Sequence, residues 1–245
     1  GADSIMGGND NDILVGDQDG SIAGSPGGDF LDGGPGNDTL FGEVGFDELL
    51  GQAGNDVLVG GPDDDLINGG LDDDTLFGGD GSDNLAGSFG NDVLVAFDST
   101  VPAGATDFMT GGPGNDTLFG GPDGGLLDGN ADADTLIGNL GNDYLTGGPG
   151  SDIIFSGAGN DSIFYGPNFG QDLIADFVRG QDIIDLSQLF ASFTAFQAGT
   201  AVTIFGNGVR LAFVPGQHEL TIVGVLDVLP SDFSFVALPI PSPPL

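Results

Sequence analysis

A nine-residue period governs most of this chain. Gly33-Gly34-Pro35-Gly36-Asn37-Asp38-Thr39-Leu40-Phe41 is followed without a gap by units opening at Gly42, Gly51, Gly60, Gly69, Gly78 and Gly87. A second unbroken run opens at Gly111, Gly120, Gly129, Gly138, Gly147 and Ser156. Between the runs, residues 96–110 form one unit carrying a six-residue insertion. Upstream, Gly7 opens a good unit, Gly16 a degenerate eight-residue one and Gly24 another good one. Residues 1–6 match the last six places of a unit, so the chain is expected to start in mid-repeat. Self-similarity at so short a period points to a solenoid, in which each unit stacks on its neighbours.

Each place in the unit has a physical reason. Glycines at places one, two and four are expected to let the backbone take φ > 0 and turn its carbonyls inward. Where place four is not Gly it is often Asp, as at Asp10, Asp63, Asp72, Asp123 and Asp132, a residue that tolerates the left-handed region. Place six is Asp at Asp12, Asp29, Asp38, Asp47, Asp56, Asp65, Asp74, Asp83, Asp92, Asp107, Asp116, Asp134, Asp143, Asp152 and Asp161. Place eight is Leu, Ile or Met from Leu14 to Ile163. One turn plus a three-residue strand with its middle side chain buried describes a coil of a parallel β-roll, two units to a coil. The expected fold is therefore all-β, a solenoid of two short-stranded parallel sheets. Stacked at ~4.8 Å per strand, roughly eight coils make a rod about 40 Å long.

The charge follows the same period. The chain has 38 acidic residues against 2 basic ones, a net charge of −36, and no cysteine. Nucleic acid and anionic membrane are excluded as partners, since both need a basic surface. No disulfide framework or thiolate metal site can form, and no apolar run is long enough to span a membrane. Disorder is opposed by the 39% apolar content and by the periodicity of the glycines. Halophilic surface acidity would spread Glu and Asp over exposed positions, whereas only Glu43, Glu48 and Glu219 are glutamate. Aspartate at one fixed place points to ligands for a cation rather than to a solvated surface; the plain alternative is that these residues cap turns.

The pattern G-G-x-G-x-D-x-U-x resembles the RTX (hemolysin-type) calcium-binding nonapeptide over about two thirds of the chain. The resemblance implies Ca²⁺ ions held between turns on the same side, one coil apart, by place-six aspartates and backbone carbonyls. One ion would lie between Asp38 with the carbonyls of Gly34 and Gly36, and Asp56 with the carbonyls of Gly51 and Ala53. Oxygen-only ligation of flexible geometry favours Ca²⁺ over Mg²⁺. Ser21 and Gly125 stand where Asp is expected, and the insertion is expected to distort the turn of Asp107.

After Phe164 the rhythm breaks. Gly170-Gln171-Asp172-Leu173-Ile174-Ala175-Asp176-Phe177 and Gly180-Gln181-Asp182-Ile183-Ile184-Asp185-Leu186-Ser187 resemble the segment that closes RTX β-rolls in type I-secreted proteins, and Asp232-Phe233-Ser234-Phe235 resembles its end. The resemblance implies an uncleaved export signal and an extracellular bacterial protein. Alternation over 201–205, 209–214 and 220–225 reads as antiparallel strands that cap the roll. The expected division is a β-roll over 1–165, a β-rich cap and secretion region over 166–236, and a Pro-rich tail over 237–245.

No catalytic constellation stands out. His218 is the sole histidine and falls in an expected turn, Pro215-Gly216-Gln217-His218. There is no G-x-S-x-G elbow, and Arg179 and Arg210 are expected to pair with nearby carboxylates. The chain reads as a non-enzyme.

Register assigns alternate units to opposite sheets, with places seven and nine facing out. On one sheet those pairs are Thr39/Phe41, Val57/Val59, Thr75/Phe77, Val93/Val95, Thr117/Phe119, Thr135/Ile137 and Ile153/Phe155, apolar or threonine throughout. Such a stripe asks for a partner, either another molecule or the chain's own C-terminal domain, and this face and the coil ends are the expected surfaces for self-association. Two functions fit: a secreted structural or adhesive protein that folds on Ca²⁺ and assembles into filaments or a surface layer, or the secretion and folding module of an exported hydrolase. A third, ice or polysaccharide binding, is disfavoured for ice by the bulky Phe at alternate coils.

Overall fold

The computed structural model describes residues 2–16, 27–96, 105–190, 201–205, 208–214, 218–223, 227 and 229–234, with the side chains of 201–210 and 212–214 excepted. Ser21, most of the 96–110 insertion, the turn residues 215–217, Phe235 and the 237–245 tail lie outside them.

Alternate units go to opposite sheets, as the period requires. Among the described residues one sheet has 11 strands and the other 12. The first runs from Ser4–Met6 through Phe30–Pro35, Glu48–Ala53 and their successors to Ser162–Phe164. The second runs from Ile13–Val15 through Thr39–Phe41, Val57–Pro62 and their successors to Ile153–Phe155. Neighbouring strands are parallel, and each place stacks on the same place one coil away. In the second sheet Leu40 pairs with Leu58, Leu58 with Leu76 and Leu76 with Leu94. The chain is a parallel β-roll.

The core is one file of place-eight side chains from each sheet. Leu31, Leu40, Leu49, Leu58, Ile67, Leu76, Leu85, Leu94 and Met109 are all 0% exposed, and the file continues to Ile163. Their flanking residues are mostly half-buried or exposed, as in Thr39–Phe41, with Phe108 beside Met109 buried. Fully burying a Leu or Ile side chain contributes about 1.5–3 kcal/mol, which makes this file the main apolar stabilisation of the rod.

Most coils hold 18 residues, read from the contact of Asp38 with Asp56. The coil that carries the insertion spans 24 residues, from Asp83 to Asp107, and the first coil 26, from Asp12 to Asp38. The added length does not shift the strands: Leu14 still pairs with Leu40 and Met109 with Leu85.

At the C-terminal end the roll closes by continuing. Gln171–Ile174 extends the second sheet and Ile183–Asp185 the first, both parallel. His218–Val223 then pairs parallel to Gln171–Ile174, and Gly208–Val214 and Ala201–Phe205 complete the second sheet as antiparallel strands. Phe233–Ser234 closes the first sheet. Leu211, Leu220, Ile222 and Phe233 are buried against the last coil, so the apolar end of the solenoid is covered. No helix among the described residues is long and apolar enough to cross a membrane.

Leu76→Ala should cost about 2–5 kcal/mol of stability in calcium. Leu66→Ala, on a side chain 37% exposed, should stay within about 0.5 kcal/mol. Denaturant titrations of the two variants check the inward assignment of place eight.

Candidate metal centre

The place-six aspartates form two columns, one along the turns that enter each sheet. Nearly all are buried: Asp38, Asp56, Asp92, Asp134 and Asp152 are each 1% exposed, and Asp47, Asp83 and Asp143 0%. Along most of each column, Oδ1 accepts the backbone N–H of the aspartate one coil earlier. Asp38 N–H donates to Asp56 at 2.7 Å, Asp56 to Asp74 at 2.8 Å and Asp74 to Asp92 at 2.8 Å. The other column repeats this from Asp29 to Asp47 and from Asp47 to Asp65.

The second carboxylate oxygen has no such partner. Oδ2 of Asp12, Asp38, Asp56, Asp65, Asp74, Asp92, Asp116, Asp134, Asp143 and Asp152 is buried with no hydrogen-bond donor from the protein. A buried ionised oxygen without a partner is costly, and a native fold compensates it with a counter-charge. The chain has only two basic residues, too few to serve these columns.

The glycines at place one answer to the same oxygen. They do not take positive φ, which is confined to places two and four in units such as Gly34/Gly36 and Gly70/Asp72; the expectation for place one is corrected. A Cβ on Gly33 would instead stand 2.5 Å from Asp38 Oδ2 and 3.0 Å from the Gly51 carbonyl oxygen. Place one is glycine because the carboxylate and the next coil's carbonyl both crowd its Cα. The same contact brings Asp38 and Gly51 together, two members of the ligand set implied by the repeat. Gly36 O abuts Gly54 in the next coil. Ala53 O accepts the Gly36 N–H at 2.8 Å, which leaves one lone pair of that carbonyl for another partner.

Stacked carboxylates oppose ionisation. Burial pushes Asp74 from 3.8 up to about 8, with Asp56 and Asp92 adding repulsion. Burial likewise raises Asp65 to about 9, and Asp134 and Asp143 to about 8. At neutral pH Asp65, Asp74, Asp134 and Asp143 hold protons unless a cation offsets their charge. Among the described residues no three carboxylate or imidazole side chains converge on one point. A cation here would be held by carboxylates from adjacent coils together with backbone oxygens, a donor set of hard oxygens with no imposed octahedron. That set fits Ca²⁺ better than Mg²⁺.

The places where the motif lapses behave differently from one another. Asp107, expected to be distorted, keeps its place: it is 2% exposed and its Oδ1 accepts the Asp83 N–H at 3.0 Å. At Gly125 the column loses a carboxylate, although Gly125 N–H still donates to Asp143 at 2.7 Å. Asp123, two residues earlier, has a buried Oδ2 with no donor.

Several residues of this end were not marked by the nonapeptide pattern. Asp172 and Asp182 continue the columns, accepting the N–H groups of Asp152 at 3.0 Å and Asp161 at 3.3 Å. Their signal was Asp two residues before a buried Ile, at Ile174 and Ile184, obscured by changed spacing. Arg179 pairs as expected, with Asp232 at 3.0 Å and Asp227 at 2.8 Å; the Arg210 side chain lies outside the described residues. His218 is not a free surface residue. It begins a strand, its Nδ1 lies 2.8 Å from Phe169 O, and its ring packs on Phe169 at 5.1 Å.

The model of the RTX calcium-binding nonapeptide repeat matches residues 1–21, 16–49, 41–76, 50–85, 59–94, 104–124 and 128–163, well over half the chain. The chain belongs to the RTX calcium-binding nonapeptide repeat family. No curated protein matches this RTX chain in sequence. Among solved structures it is similar to the extracellular lipase LipA from Serratia marcescens, at 20% identity and a TM-score of 0.38, over 90% of this chain and 42% of the lipase. The RTX chain thus spans less than half of that protein's length.

The raised carboxylates set the pH dependence of the metal-free roll. A folded-state value of about 8 against an ordinary 3.8 for Asp74 means the folded chain holds more protons than the unfolded chain between those values. Stability is therefore greatest at low pH and falls as pH rises through that window. With chelator present, circular dichroism should show β structure gained as pH falls from 8 toward 5. In saturating calcium the trend should reverse, because protons compete with the metal. Asp74→Asn should stabilise the chelated chain and weaken calcium binding; equal behaviour of both proteins under chelation would contradict this account.

Proposed function

We propose that this chain is an extracellular β-roll that folds when Ca²⁺ enters its carboxylate columns, and that the folded rod serves a structural or adhesive role by self-association. The observation that carries the first half is the series of buried Oδ2 atoms without protein donors, repeated coil after coil. Without cations, closing the columns near neutral pH costs either repulsion or proton uptake, and the chain stays open. In calcium-rich surroundings the binding free energy becomes folding free energy. Calcium supplies positive charge between coils. The place-six series Asp12, Asp29, Asp38, Asp47, Asp56, Asp65, Asp74, Asp83, Asp92, Asp116, Asp134, Asp143, Asp152 and Asp161 would hold it, with carbonyls such as those of Gly34, Gly36, Gly51 and Ala53.

The second half is supported by the outer face of the second sheet. Register aligns Thr39, Val57, Thr75, Val93, Thr117, Thr135 and Ile153 in one file, and Phe41, Val59, Phe77, Val95, Phe119, Ile137 and Phe155 in the next. Val57, Ile153 and Phe155 are exposed by 37%, 39% and 40%. The antiparallel strands at the C-terminal end extend this sheet at its edge. A flat apolar ribbon of this length favours pairing with a second copy. No catalytic role is proposed.

A second reading, the calcium-dependent secretion and folding module of a type I-secreted hydrolase, is favoured by the closing segment 170–187. Size in solution separates the two. Electron microscopy and light scattering in calcium should show ordered polymers that chelator disperses. The triple variant Phe41→Asp, Phe77→Asp, Phe119→Asp should stay monomeric while retaining its calcium-induced circular dichroism. A wild-type chain that remains monomeric at high concentration in calcium would leave the module as the better reading.

A further inference from the structure

The two carboxylate columns end differently. In the second sheet's column, Gly150 presses on the carbonyl of Asp132, and Gly170 presses in the same way on the carbonyl of Gly150. Gly170 therefore holds place four of one more coil. Asn168 has φ 72°, the left-handed backbone of place two. Asp172 falls at place six, 2% exposed, and Ile174 at place eight, 0% exposed. Residues 167–175 are thus a nonapeptide in geometry without its glycine signature, set off by the two extra residues Tyr165 and Gly166. Asp172 Oδ1 accepts the Asp152 N–H at 3.0 Å, and Oδ2 of both Asp152 and Asp172 is buried without a donor.

An independent observation marks the same spot. Tyr165 is 2% exposed and its hydroxyl has no hydrogen-bond partner. Burial raises its pKa well above 10.0, with the charges of Asp172 and Asp152 adding to the effect. A neutral hydroxyl, buried and unpartnered, thus lies in the field of two carboxylates whose outer oxygens are also unpartnered.

The first sheet's column closes itself. Asp182 Oδ2 accepts the Val178 N–H at 2.6 Å. Beyond it, Asp232 takes Arg179 Nε at 3.1 Å, Arg179 Nη2 at 3.0 Å and the Leu229 N–H at 2.8 Å. There the protein provides its own cation and donors.

We propose that the second sheet's column holds one divalent cation beyond the last recognisable repeat, between Asp152 and Asp172 and beside the Tyr165 hydroxyl, while the guanidinium of Arg179 takes the corresponding place at the end of the first. This rests on the reading of the columns as calcium sites. It makes the cap metal-bound along one edge and metal-independent along the other.

Terbium luminescence on the full chain tests the site, because Tb³⁺ replaces Ca²⁺ and emits when a nearby tyrosine is excited. The chain has two tyrosines, Tyr144 and Tyr165, and no tryptophan. In Tyr144→Phe, tyrosine excitation should produce Tb³⁺ emission that excess Ca²⁺ displaces. Adding Asp172→Asn should remove most of that emission while calcium-induced circular dichroism persists. If that double variant fails to fold, Asp172→Glu replaces it, with weakened emission expected. Emission absent from Tyr144→Phe, or unchanged by the Asp172 substitution, overturns the proposal. A wild-type chain that neither binds Ca²⁺ nor changes its circular dichroism would instead overturn the underlying reading of the columns.

Discussion

Along both edges of the roll, buried carboxylates stand one above another at strand spacing, each using one oxygen to hold the backbone of the coil before it. That hydrogen bond sets the stacking of the turns, from Asp38 on Asp56 to Asp134 on Asp152. It also carries the carboxylate into a place where its charge is poorly solvated and its neighbours are like charges. The Leu and Ile file between the sheets stabilises the coil without regard to metal. The edges do not share that independence. A chain with 38 acidic and 2 basic residues cannot neutralise them from its own side chains, and in the proposed function the state of the edges decides whether the apolar core can form.

The same interaction explains the glycines. Places two and four need a left-handed backbone, which Glu43, Gln52, Asp63 and Asp72 also adopt. Place one needs bare space, because Asp Oδ2 and a carbonyl of the next coil meet at its Cα. A repeat that tolerates polar residues at places two and four but is nearly invariant at place one is the expected outcome of those two constraints. The first is a conformational preference of roughly 1–2 kcal/mol, and the second is a steric exclusion.

Much of this was legible in the sequence because a period of nine, doubled, fixes register. The inward file from Leu31 to Ile163, the alternation of sheets over it and the alignment of Phe41 with Val59 and Phe77 follow from counting. Leu14 does not, since it pairs with Leu40 in the second sheet where counting the eight-residue Gly16 unit as a turn puts it in the first. What depends on contacts between coils was not legible. Gly at place one is dictated partly within the unit, by Asp38 as seen from Gly33, and partly eighteen residues away, by Gly51. Asp172 escaped because Tyr165 and Gly166 shift the count by two while the strand pairing continues. Arg179 meets Asp232 across 53 residues, and His218 meets Phe169 across 49; no local pattern announces either pairing. The end of the roll is the part of the fold least written in local repeats.

Closure of the edges is proposed to be driven by cations. A far-ultraviolet circular dichroism titration of the chelated chain with Ca²⁺ near neutral pH, run beside the same titration with Mg²⁺, addresses it most directly. Disordered signal that converts cooperatively to β structure with Ca²⁺, and far less with Mg²⁺, is the predicted result. An equally folded β spectrum in excess chelator at that pH would contradict it.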